Sequence, residues 1–380
     1  MFNVQCSVFR RRRTLHAGLL LFCVLCCIEL LSLGIGRYLE RRGVFYRANP
    51  ADDYERYLAE RDPVLGWPSP GTFGKGQRDA SGSRIVPAFP DPVTEPLVSI
   101  YGDSFTWGTE VDDEHAWGNV LAELVARRVS NFGVSGYGTD QSYLRFSVNT
   151  NDSARIVLLG HLSENILRNV NQFRDLLYPG EGRGFKPRFV LEPDGGLRLV
   201  PIPSFEASVY RDVVARPGRY LSHEFFAPGG KSGVAGLSFP WSLSVLACLG
   251  NPHVKAKLAG RPRYAEFYEM EHASGSLGLT AAILERFADE AKRMGKTPVV
   301  LVMPTTLDIE QVERGGDWPY TPLVGMLRGM GVDVLDIGAR IVALPGKEPG
   351  ELFGVIHFNE KGNRQVAEIV HSALVKRGLL

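Results

Sequence analysis

The chain has 380 residues, 44% of them hydrophobic and 22% charged, with a formal net charge of +1. This length suits one large domain or two, the apolar content is enough for a buried core, and a charge near zero supplies no field to draw nucleic acid or an acidic polymer. Basic residues form no long run beyond the first fifty positions, so no nucleic-acid partner is expected. The five cysteines are Cys6, Cys23, Cys26, Cys27 and Cys248. They imply no disulfide framework, and Cys23 and Cys26, although spaced like a metal pair, lie inside an apolar run where small membrane-facing residues are the simpler reading. Neither a metal nor a cofactor is expected.

Residues 1–13 form a basic tail ending in Arg10–Arg13, and residues 14–36 are almost wholly apolar. About 20 apolar residues suffice for a helix to cross a bilayer, so 14–36 is expected to be a transmembrane anchor. Glu29 is its one carboxylate, at a cost of about 2.5–3.5 kcal/mol if it stood at the centre of the span. A cleaved signal peptide and a buried core helix are the alternatives. The first lacks an Ala-x-Ala site, which Ser32-Leu33-Gly34 only loosely imitates, and the second does not suit a segment apolar all round. Arg10–Arg13 on one flank are balanced by Arg37, Arg41, Arg42 and Arg47 on the other, so charge leaves the orientation open.

Residues 37–95, rich in Pro, Gly, Asp and Arg, read as a juxtamembrane connector partly packed on the domain that occupies 96–380. Leu97-Val98-Ser99-Ile100-Tyr101 is a short apolar strand. Helical spacing follows over 115–127, a strand over 129–132, a helix over 139–150 and a strand over 155–159. After an irregular stretch, 279–294 is an amphipathic helix, 298–303 an apolar strand, 322–330 a helix, 332–337 a strand and 359–376 a closing helix. Strands apolar on both faces, alternating with helices, predict a parallel sheet covered on both sides: a three-layer α/β/α, flavodoxin-like sandwich preceded by one transmembrane helix. Residues 173–272 interrupt the rhythm and read as an insertion. Within it, 189–192 and 197–200 flank Pro193-Asp194-Gly195-Gly196, a hairpin signal, and its many aromatics suit structural cover or a substrate wall.

Ser104 follows the first strand at once, which presents it at the carboxyl edge of the sheet, where open α/β sheets bind ligands. Its setting is Tyr101-Gly102-Asp103-Ser104-Phe105-Thr106-Trp107-Gly108. A serine hydroxyl needs a base, and His357, after the last strand, can reach the same edge. Residues 102–108 resemble the first block of the SGNH (GDSL-type) hydrolase family, and Asn131-Phe132-Gly133-Val134-Ser135-Gly136-Tyr137-Gly138-Thr139 resembles the second. Gly160-His161-Leu162-Ser163-Glu164-Asn165 is similar to the third, and Ile356-His357-Phe358-Asn359 to the block that carries the catalytic histidine. The resemblance spans about residue 62 to the C-terminus without most of the insertion. It implies Ser104 as nucleophile, His357 as base, and an oxyanion hole built from the Ser104 N–H, the Gly136 N–H (Gly133 being the nearby alternative) and the Asn165 side chain.

Two departures stand out. The family places an aspartate two or three residues before the histidine, where this chain has Val355 and Gly354; either Ser104 and His357 act as a dyad, or Glu351 or another carboxylate orients the ring. The third block has Glu164-Asn165 where Asn-Asp is expected, so either residue could hold the oxyanion position, and Asn165 could equally be a helix cap. His115 and His161 lie near the predicted sheet edge. His223, His253, His272 and His371 show no metal-ligand spacing, and Asp112-Asp113-Glu114 suits a solvated helix entrance. Gly133-x-x-Gly136-x-Gly138 lacks dinucleotide-binding spacing.

The function these features imply is that of a serine esterase acting on an acyl ester, an O-acetyl group being one candidate, carried by a polysaccharide, other glycan or lipid. An O-acyltransferase shares the acyl-enzyme step, and a non-catalytic glycan-binding or assembly protein on the same fold is the third reading. With the anchor, the resemblance implies a bacterial cytoplasmic (inner) membrane protein whose domain is periplasmic or extracellular.

Overall fold

Five of the apolar runs pair side by side because each is buried on both faces and must find hydrogen-bond partners along its edges. The structure, a computed structural model, describes residues 2–48, 53–177, 184–228, 236–251, 254–256, 259–344 and 349–380. His253 lies outside the described residues. The strands are β1 (Val98–Tyr101), β2 (Val129–Asn131), β3 (Ile156–Leu162), β4 (Arg188–Leu191), β5 (Leu197–Val200), β6 (Thr297–Met303) and β7 (Val334–Asp336). The main sheet has the order β2-β1-β3-β6-β7, with every pairing parallel. β4 and β5 form a separate antiparallel hairpin in register Arg188 to Val200, as its turn residues predicted.

Alternation along the strands divides the core. Tyr101, Val157, Leu159, Val300 and Val302 face one layer, in which the helices Thr139–Val148, Ser276–Arg293 and Thr321–Gly329 pack. Ile100, Leu158, Val299, Leu301 and Leu335 face the other, covered by Trp117–Val125 and the C-terminal helix Glu360–Lys376. The predicted three-layer α/β/α sandwich is therefore the fold. The chain leaves β1 for β2 on one side and returns to β3 on the other, so the switch point lies at the carboxyl end of β1, where Ser104 sits.

The N-terminal helix runs Phe2–Arg41, past both ends of the 14–36 segment. Its portion Leu15–Arg41 contains an 18-residue stretch of mean hydropathy 2.5 and is long and apolar enough to cross a membrane. The segment after it is tightly packed. Tyr57, Leu65, Trp67, Val86 and Arg84 are buried, and Gln141 Nε2 donates to the carbonyls of Leu65 and Trp67 at 2.8 and 3.0 Å. The 173–272 insertion adds Phe173, Phe185, Tyr210, Phe226 and Phe267 to the core layer of Ser276–Arg293.

Lys186, inside this insertion, forms a buried ion pair with Asp140 on the helix that begins just after the Gly136 turn. Burial pulls the Lys186 ammonium below its ordinary value, while Asp140 works to keep the charge. Truncating one member of such a pair strands the other. Lys186→Ala is thus expected to cost about 3–5 kcal/mol of stability in chemical denaturation, and the apolar double replacement Lys186→Met/Asp140→Leu to recover most of that loss.

Candidate active site

Ser104 begins a single helical turn, Ser104–Trp107, that leaves β1 through Gly102. Space at this turn is minimal. A Cβ on Gly102 would meet Thr106 Oγ1 at 1.9 Å, and one on Gly160 of the neighbouring strand would meet the same atom at 2.4 Å. Asp103 caps the turn by accepting from the Phe105 N–H at 2.9 Å, and its second oxygen accepts from Asn165 Nδ2 at 3.0 Å with Arg168 Nη1 at 3.5 Å. Burial raises the Asp103 carboxyl above its ordinary range, against the pull of Arg168, the Phe105 N–H, Asn165 and His357. Asp103 therefore fixes the turn that presents Ser104.

The second block is tied to the first by Asn131, which donates from Nδ2 to the Thr106 carbonyl at 2.8 Å and accepts from the Gly133 N–H at 2.9 Å. That bond commits the Gly133 amide, which the sequence offered as the alternative to Gly136. Gly136 turns the chain at φ +94°, a conformation favoured by glycine, and its N–H makes no hydrogen bond among the described residues. Asn165 is fully buried at the first position of the helix Asn165–Asn169. Glu164, not Asn165, holds the capping position, and without a side-chain cap bond. Of the two third-block residues, then, Asn165 is the one joined to the Ser104 turn. Glu164 faces Arg168 and Arg263 at 3.8 and 3.6 Å.

His357 is brought against the Ser104 turn: its ring centroid lies 4.9 Å from that of Phe105, next to Ser104. The loop bearing it is held by Asn363, which accepts from the Trp117 N–H at 3.1 Å and donates to the Phe358 carbonyl at 2.8 Å. An acid does reach the ring, from a place the sequence did not suggest. Glu110 Oε1 accepts from His357 Nδ1 at 2.9 Å, and the Glu110 carboxylate also accepts from the N–H groups of Val355, Ile356 and His357 at 3.0, 3.1 and 3.2 Å. Because the carboxylate can only accept, the proton of the neutral ring is on Nδ1, and Nε2 is left as the basic nitrogen. Desolvation opposes ionisation of Glu110, but the hydrogen bonds from His357, Val355 and Ile356 outweigh it and hold the carboxyl below its ordinary range. Glu351, the carboxylate named from sequence, instead lies exposed near Lys361 Nζ at 3.7 Å.

The Glu110 loop is set by buried Arg84. Its guanidinium donates to the carbonyls of Trp107, of Gly108 at 3.0 Å and of Val111 at 2.8 Å, and pairs with Asp113 at 2.6 Å. Arg78 and Arg84 also lie over the Trp107 ring, 4.1 and 4.8 Å from its centroid. The 37–95 segment thus positions the acid. Signals for Glu110 in the sequence were faint: a carboxylate six residues beyond Ser104, in a loop, far along the chain from the histidine it serves.

Other sequence candidates lie apart from this constellation. His161 is fully buried between Thr139 Oγ1 at 2.7 Å and Tyr268 Oη at 2.9 Å, and burial pushes it down to about 3, so it is neutral and does not line a cleft. His115 lies on the surface, 3.7 Å from Glu360. Asp112 and Asp113 face Lys75 and Arg84, and among the described residues no His/Cys/Asp/Glu group could hold a metal. Beside the site is a cavity of about 430 Å³ whose walls include Phe105 and Ile356, the neighbours of Ser104 and His357, with Leu176, Arg263 and, at the end of the N-terminal helix, Arg42 and Val44.

No protein-family model matches the chain, and comparison with curated proteins gives no match. In fold the chain is similar to a lipase/acylhydrolase from Enterococcus faecalis, at 11% identity and TM-score 0.37, over 74% of this chain and 95% of that one. It is also similar to a member of the lipolytic protein G-D-S-L family from Veillonella parvula DSM 2008, at 10% identity and TM-score 0.33, over 73% and 97% of the two chains. A third similarity is to an acetyl xylan esterase from the rumen bacterium Butyrivibrio proteoclasticus, at 9% identity and TM-score 0.35, over 77% and 67%. At these TM-scores the likeness carries no argument about chemistry, which rests on the geometry of the Ser104 turn, His357 and Glu110.

A carboxyl with a folded-state pKa below its unfolded value contributes stability that is complete above the unfolded value and is lost as pH falls through the folded one. The stability advantage of the wild type over Glu110→Gln should accordingly be full at neutral pH and shrink as pH drops below the ordinary glutamate value of about 4.3. Denaturant titrations of both proteins from pH 7 to pH 3 measure it; an advantage unchanged over that range would contradict an ionised Glu110 at His357.

Proposed function

We propose that the protein is a serine esterase that hydrolyses an acyl ester, with Ser104 as nucleophile, His357 as general base and Glu110 as the acid that orients the histidine. The observation that carries this reading is the 2.9 Å contact of His357 Nδ1 with Glu110 beside the Ser104 turn. In the reaction, His357 Nε2 takes the Ser104 hydroxyl proton as Oγ bonds to the ester carbonyl carbon. The oxyanion is met by the N–H groups of Ser104 and Gly136 and by the Asn165 Nδ2 proton not given to Asp103. Collapse breaks the bond to the alkoxy oxygen, which leaves with the proton from His357. Water, activated by the same imidazole, then releases the acid and restores Ser104.

With an acid in place, the motive for a non-catalytic reading falls away. The cavity between Phe105, Ile356, Leu176 and Val44 is apolar enough for an acyl group, with Arg42 and the Arg263–Glu164 ion pair at its wall. The substrate is an ester, an O-acetyl ester included, carried by a glycan or lipid outside the cytoplasm. The anchor would hold the domain on the outer side of the bacterial cytoplasmic membrane, an orientation that rests on the family resemblance. A C-terminal reporter after Leu380 is expected to be active only outside the cytoplasm; cytoplasmic activity would reverse the topology.

The full-length protein in detergent should hydrolyse p-nitrophenyl acetate. Ser104→Ala and His357→Ala are each expected to lower turnover by about 10³-fold or more, and Glu110→Gln by about 10²–10⁴-fold. Equal turnover by wild type and Ser104→Ala would sink the esterase reading. An unchanged rate in Glu110→Gln would leave a Ser104–His357 dyad.

A further inference from the structure

We infer that residues 237–250 are a second membrane-embedded element, seated in the hydrocarbon of the leaflet nearest the domain and held against the N-terminal helix by Glu29. The inference requires that the N-terminal helix cross the bilayer and does not depend on the catalytic reading. No charged residue occurs between Leu237 and Gly250. The segment contains the helix Trp241–Leu249. Nine residues rise only about 14 Å, too short to cross a hydrocarbon core of about 30 Å but long enough to lie within one leaflet.

Its outer face is bare. Leu243, Leu246 and Leu249, three residues apart and so on one stripe, are 60%, 60% and 59% exposed, and Phe239 just before the helix is 69% exposed. A domain surrounded by water seldom presents such a stripe. Its inner face packs along the N-terminal helix, where Gly36 allows the approach: a Cβ there would meet Leu237 Cδ1 at 2.5 Å.

Glu29 joins the two elements. Its carboxylate accepts from the Ser242 N–H at 3.3 Å and from the Ser242 hydroxyl. It therefore sits at the N-terminus of the Trp241–Leu249 helix, where unsatisfied N–H groups and the helix dipole favour an anion. This is the partner that a carboxylate within a membrane span requires. Glu29 precedes Arg37 by eight residues and Arg41 by twelve, about 12 and 18 Å along the axis, so the short helix begins that far below these basic residues. The occupant of the bare stripe is lipid rather than a soluble partner. The stripe adjoins the N-terminal span, in whose most apolar stretch no residue is fully buried, and the two segments leave the membrane together through the bridge between Tyr46 and Gly236. Two attachments then hold the Arg42–Val44 wall of the cavity at the membrane surface.

The test uses the full-length chain in phosphatidylethanolamine/phosphatidylglycerol vesicles, with its native cysteines replaced by alanine. Single nitroxide labels are placed at Leu243→Cys or Leu246→Cys, with Leu25→Cys in the span and Val93→Cys, 86% exposed on the domain, as references. Labels at 243 and 246 should collide with oxygen in preference to a water-soluble nickel chelate, as at position 25 and opposite to position 93. If a helix variant does not fold, Phe239→Cys supplies the same comparison from outside the helix. Nickel accessibility like that of position 93 would overturn the proposal. So would shielding from both agents, which would mean a protein partner or a second copy, or an aqueous signature at position 25, which would remove the membrane span itself.

Discussion

The bond between Glu110 and His357 is the contact on which the candidate site depends, because it joins two loops 247 positions apart in sequence and fixes which imidazole nitrogen is basic. It is more than a pair of side chains. Three consecutive backbone N–H groups, Val355 to His357, converge on the same carboxylate, so the turn carrying the histidine is folded around the acid. Removing the acid would leave these donors without their acceptor as well as freeing the ring. Orientation of the base and conformation of its loop are one property here.

Support for that contact comes from a part of the chain with no strand in the main sheet. Arg84 gathers the carbonyls of Trp107, Gly108 and Val111 around a buried guanidinium, which sets the path of the loop from Ser104 to Glu110. Burial lowers the Arg84 pKa, and Asp113 opposes that shift only in part. The Ser104 turn is fixed independently by Asp103 and by the near-contact of Gly102 and Gly160 with Thr106. Serine, histidine and acid thus reach one edge by three separate constraints, the preorganisation that the proposed reaction would require of them.

The fold was legible because its signal is local. Apolar runs buried on both faces, separated by amphipathic helices, leave little besides a covered parallel sheet, and the observed strands coincide with the expected runs to within a few residues. The hairpin of β4 and β5 was readable from its turn residues for the same reason. Glu110 was not. A carboxylate in a polar loop looks like any solvated acid until the histidine loop closes over it, and the expected position before His357 held only Val355 and Gly354. His161 misled in the opposite sense: its place at a strand end suggested a cleft, whereas Tyr268 from the insertion covers it.

Taken by itself, the sequence determined the layered sheet, the position of Ser104 just past a strand end, the apolar N-terminal span and the late histidine, since each follows from residue type and spacing over a few turns of chain. Tertiary structure alone decided the acid for His357, the commitment of the Gly133 amide to Asn131, the pairing of Asn165 with Asp103 and the partner of Glu29. The physical reason is common to all four. A hydrogen bond acts over about 3 Å, and which donors and acceptors come that close is set by how distant segments pack, not by the order in which they occur along the chain.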